Sequence, residues 1–152
     1  MKTIPANSEN RYPLSLGSET IETLKAARRQ VRHQRSRGRF AFYDYLEAVY
    51  SIYMAWKSER SATKNARTLA AALDIPMRQD VSALRILIEA TWPGAETKQK
   101  SRWTRALGHA HDEGTAPRAL ISFIKANGGI SGCAKSAARY DPKRRTNRDD
   151  WA

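Results

Sequence analysis

The chain is poor in three things. Its 152 residues include one cysteine, Cys133, which excludes an intramolecular disulfide framework and any zinc site built on several thiolates. No apolar run approaches the roughly 18–20 residues that a membrane-spanning helix needs. The opening MKTIPANSENRYPLSLGSE also lacks the apolar stretch of a secretory signal. Acid is scarce too: 15 Asp+Glu stand against 27 Lys+Arg, a formal charge of +12. Catalytic signatures are missing as well. His33, His109 and His111 form no HExxH, and the sequence contains no GxxxxGK[ST], no GxGxxG and no convincing nucleophile–base pair. His109 and His111, two residues apart, point to different faces of a helix, and the pair Asp149-Asp150 is poor support for nuclease chemistry. These absences lead to the expectation of a soluble, cytoplasmic, non-catalytic protein without cofactor or metal.

What is present is a core and a basic surface. Hydrophobic residues make up 41% of the chain, enough to bury, while a mean hydropathy of −0.67 implies a heavily charged exterior. The length suits one domain. Residues 1–17, with Pro5, Pro13 and Gly17, read as an irregular arm, 18–140 as a helical domain, and 141–152 as a basic tail that stays flexible until something binds it.

No segment alternates with period two and no repeat recurs, whereas apolar residues return at helical spacing throughout. The expected fold is all-α, a compact bundle of six to seven helices with basic flexible termini. A first helix starts at Ser18 as cap, carries Glu19 and Glu22 in its first turn, and ends near Gly38. A second, about 40–58, has the stripe Phe42, Leu46, Val49, Tyr53, Trp56 and further aromatics Tyr43, Tyr45 and Tyr50. That aromatic row reads as core or as a homodimer interface over 40–56; base stacking is the alternative. A third helix begins at Ser61 and a fourth spans about 78–91. A fifth, about 95–112, shows Trp103 on one side and Lys98, Arg102, Arg105 and His109 on the other. A sixth opens with Thr115 as cap and Pro117 in its first turn, and a seventh covers about 130–139, with Cys133 inward and inert.

The stretch Ala66-Arg67-Thr68-Leu69-Ala70-Ala71-Ala72-Leu73-Asp74-Ile75-Pro76-Met77-Arg78-Gln79-Asp80-Val81-Ser82-Ala83-Leu84-Arg85 resembles the helix-turn-helix unit of DNA-binding domains, over about residues 61–91. Small Ala70 and Ala71 permit a close helix crossing, and Ile75 and Val81 fill the space beneath the turn. Asp74 stands where glycine is common, and the interval from Leu73 to Val81 is one residue longer than the pattern. The resemblance implies that the second helix enters a major groove, with Arg78, Gln79, Ser82 and Arg85 reading bases and Lys64 and Arg67 on phosphates. The alternative is an ordinary helix pair with a solvated face. Residues 123–139, turning at Gly128-Gly129, form a second candidate of the same kind. Ser131, Lys135, Ser136 and Arg139 face outward there; a plain tight corner is its alternative.

So large a positive excess is a statement about partners. Nucleic acid comes first, because neutralising phosphates releases counterions; an anionic membrane surface comes second. Lys25, Arg28, Arg29, Arg32, Arg35, Arg37 and Arg39 form a run without an acid, and like charges repel unless an anion relieves them. With Lys64, Arg67, Lys98, Arg102, Arg105, Lys135, Arg139 and the tail residues Lys143, Arg144 and Arg145 they are the candidate phosphate ligands. The functional expectation is a small prokaryotic, phage or plasmid transcriptional regulator, associated with the nucleoid when bound to double-stranded DNA. The alternatives are a protein-interaction module, such as an adaptor or inhibitor, and an RNA or single-strand binder.

Overall fold

The computed structural model describes residues 12–37, 41–76 and 81–139, without the side chains of 32–37, 41 and 137–139. Among the described residues every regular element is helical, as the spacing predicts. No described helix is long and apolar enough to cross a membrane, and no three His, Cys, Asp or Glu among the described residues gather as a metal-binding group.

Helix α1 (Ser18–Arg37) lays Ile21, Leu24 and Ala27 against α2 (Ala41–Ser58). The stripe expected on α2 is present but too narrow. Tyr45, Tyr50 and Ile52 are buried beside Leu46, Val49 and Trp56, so apolar contact runs almost around the helix, as it must for a helix packed on several sides. α1, α3, α4, α5 and α6 all touch it. Tyr45 and Tyr50 are thus core residues rather than exposed rings open to base stacking, while Phe42, Tyr43 and Tyr53 stay partly exposed. The buried part of the aromatic row packs within one copy of the chain. Tyr45 shares a 2.7 Å hydrogen bond with the Thr91 hydroxyl, and Tyr50 donates to the Thr115 carbonyl at 2.6 Å.

α3 (Ala62–Leu73) ends at Asp74, whose φ of +56° is left-handed. Asp is one of the few side chains that tolerate this region. The Asp74 amide donates to the Ala71 carbonyl and that of Ile75 to Ala70, which satisfies carbonyls that the helix end would leave open. The departure from glycine at this position therefore still closes the helix.

α4 (Ala83–Thr91) starts later than the expected 78. Ser82 sits in extended geometry and its hydroxyl accepts the Arg85 amide at 3.2 Å, an N-cap that fixes the start of the helix one residue on. Leu84, Ile86, Leu87, Ile88, Ala90 and Thr91 are buried, so α4 is an interior helix. α5 (Thr97–Asp112) follows, then a 3-10 turn (Pro117–Ala119), α6 (Leu120–Ala126) and α7 (Gly129–Arg139). Thr115 is not the cap foreseen for this turn: Ala116 holds that position without a side-chain bond, and the Thr115 carbonyl serves Tyr50.

The corner between α6 and α7 is shaped by glycine. Gly128 and Gly129 have φ of +86° and +82°, and Gly132 lies so close to the Asn127 carbonyl that a methyl group there would run into it. α7 thereby folds back along α5. Cys133 is fully buried in that seam, its thiol 3.5 Å from the Ala106 carbonyl.

Candidate nucleic-acid interface

The base-reading candidates separate. Arg78 and Gln79 lie outside the described residues. Ser82 is engaged as the α4 cap. Arg85 turns inward, its Nε donating to Glu89 Oε2 at 3.0 Å and its Nη1 to the Ser101 hydroxyl at 3.1 Å. Lys100 grips the other oxygen of Glu89 at 2.7 Å and also donates to the Pro93 carbonyl at 2.8 Å. One carboxylate thus joins two cations and locks α4 to α5. Burial alone would raise the Glu89 pKa, but the hydrogen bonds and charges of Lys100 and Arg85 outweigh it and hold the carboxyl below its ordinary range. Of the two side chains expected on an exposed face, Ser82 is exposed and caps α4, whereas Arg85 is part-buried and held by Glu89 and Ser101.

The phosphate candidates divide similarly. Arg32, Arg35, Arg37, Arg39, Arg139, Lys143, Arg144 and Arg145 fall outside what is described of side chains. Lys25 pairs with Glu22 at 3.7 Å. Arg28 is half-buried and donates to the Ala90 carbonyl at 3.3 Å. Arg29, Lys64, Arg67, Lys98, Arg102, Arg105 and Lys135 are exposed, and none of them reaches a carboxylate among the described residues.

The row on α5 is the clearest geometric group. Trp103, Ala106, Leu107 and Ala110 are buried on one side of the helix; Lys98, Arg102 and Arg105 are exposed on the other. His109 does not join them, because its ring is buried 5.5 Å from that of Phe123 of α6. Between Lys98 and Arg105 the helix rises about 10 Å, the axial length of about three phosphates on a strand.

Two cations were missed by the sequence reading, and a signal for them was there. From Thr97 to Arg139 the chain holds eight Lys/Arg against Asp112 and Glu113 alone, half the net charge of the whole protein. α5, α6 and α7 pack on one another, so this excess is carried by one helical unit. Arg118 and Lys125 belong to it and are exposed, with Lys125 also set 5.9 Å from the centre of the Tyr43 ring.

The thiol of Cys133 is pushed up to about 11 by burial, which keeps it protonated and unreactive at neutral pH. Comparison with protein-family models, curated proteins and solved structures yields no significant match for this chain.

Proposed function

We propose that the protein is a non-catalytic nucleic-acid-binding protein that engages double-stranded DNA through its phosphates. The observation that supports this reading is the exposed row Lys98, Arg102 and Arg105, on a helical unit with almost no acid. A row of this length meets one strand of a duplex over several successive phosphates. Phosphate contacts carry affinity and orientation without reading sequence, so the binding proposed here is led by charge rather than by groove insertion of α4.

The test is a salt titration of affinity for a random duplex. Changing Lys98, Arg102 and Arg105 together to glutamine is expected to lower the slope of log K against log salt by about 2.7, roughly 0.9 for each phosphate that is no longer neutralised. Changing Lys57 and Arg60, exposed near the end of α2, is expected to leave the slope nearly unaltered. Equal decreases per charge from both sets would sink the α5 assignment. Tighter binding to single strands or structured RNA at the same salt would replace duplex DNA as the partner.

A further inference from the structure

A cleft of about 840 Å³ opens among α1, α4, α5 and the turn after α3. It lies in the upper part of the range of about 300–1,000 Å³ typical of small-molecule sites. Its lining is of two chemistries. Leu73, Ile75 and Ile86 are apolar, while Arg28, Arg85 and Glu89 are charged.

Arg28 is the informative member. A guanidinium carries five N–H donors, and here the Ala90 carbonyl takes one of them, through Nη1. No described carboxylate lies within ion-pair distance of Arg28. Arg85, by contrast, is committed to Glu89 and Ser101. Among the described residues this half-buried cation meets no counterion and has given up hydration for little in return, and it lines the cleft. Among the described residues the charges around the cleft leave an excess of one cation, which suits an anion of one unit. Arg28, Arg85 and, behind Glu89, Lys100 face two carboxylates, Glu89 and Asp74. The apolar lining favours a ligand with a hydrocarbon body over a hydrated inorganic ion.

We propose that the cleft binds a small organic monoanion, a carboxylate with an apolar body, its head held by Arg28 beside Arg85 and its body lying on Leu73, Ile75 and Ile86. This site is separate from the phosphate-binding row on α5 and does not depend on it.

The probe is octanoate, titrated calorimetrically into the full chain at fixed ionic strength, with acetate and 1-octanol as the two halves of its chemistry. Octanoate is expected to saturate a single site, and each half-probe to bind at least about tenfold more weakly, since each forgoes either the charged hydrogen bonds or the buried chain. Arg28→Gln keeps a polar side chain and removes the charge. It is expected to weaken octanoate about tenfold, the effect of one broken charge-assisted hydrogen bond, and to leave 1-octanol unchanged. Amide chemical shifts of the unaltered protein give a reading that needs no variant: octanoate should move Ile75, Ile86 and Glu89. Absence of saturable octanoate binding overturns the proposal, as does 1-octanol binding as tightly as octanoate or shifts that avoid the cleft. Competitive displacement of octanoate by duplex DNA would overturn it as well, by assigning the cleft to the nucleic-acid surface.

Discussion

Glu89→Ala is expected to lower the unfolding free energy by about 3 kcal/mol, near the bottom of the range for removing one partner of a buried ion pair. The value is set by what remains. The Lys100 side chain is 8% exposed and would be left with only the Pro93 carbonyl as partner. Arg85 and Glu89 are each 25% exposed, so water reaches them and moderates the destabilisation. The same carboxylate predicts a pH dependence. Its pKa is lower in the folded chain than its ordinary 4.5, so the unfolded state binds the proton more readily. The stabilisation is therefore complete above that ordinary value and is lost as the pH falls through the folded one. Urea midpoints measured from neutral to acid pH check both points. Glu89→Gln should lose stability at neutral pH and show a shallower decline in acid. An unchanged midpoint in both variants would mean that α4 and α5 are not held by this bridge.

Trp103→Ala should cost about 3–5 kcal/mol, the usual toll for deleting a buried indole. Trp103 is 1% exposed. Its ring centre lies 5.0 Å from Trp92, 5.8 Å from Tyr45 and 6.3 Å from Phe42. These rings come from α2, from α5 and from the turn between α4 and α5, so their cluster is where the two halves of the chain meet. Truncation leaves a void lined by rigid rings that cannot collapse into it. Trp103→Phe retains a ring and should lose less than half as much. Denaturant unfolding followed by circular dichroism measures both. A decrease below about 1 kcal/mol for the alanine variant would place it among surface substitutions and contradict the packing. Since small domains hold only about 5–15 kcal/mol in total, either change removes a large part of the stability.

The helices were legible because their apolar residues recur with the helical period. Sites were less legible, for reasons visible in single residues. Arg85 and Glu89 are four apart, the spacing of a helical ion pair, so that partnership was readable before the fold was known. Lys100 was not, because it reaches Glu89 across the turn between two helices, a tertiary placement no period encodes. His109 falls on the outer arc of α5 considered alone, yet Phe123 of α6 covers it. Tyr45 and Tyr50 look superfluous to a one-sided stripe, and only a helix touched from several sides has use for them. The cationic character of 97–139 lay open in its scarcity of acids, Asp112 and Glu113 alone. Asp74 shows the converse: an irregularity of the turn that local hydrogen bonding accommodates.

The seam between α5 and α7 has a practical consequence. Its single sulfur is closed off by packing and is also kept in its unreactive protonated form. An alkylating reagent can reach it only when the two helices part. The speed of modification in otherwise undisturbed protein is thus a built-in clock for how often this corner comes undone.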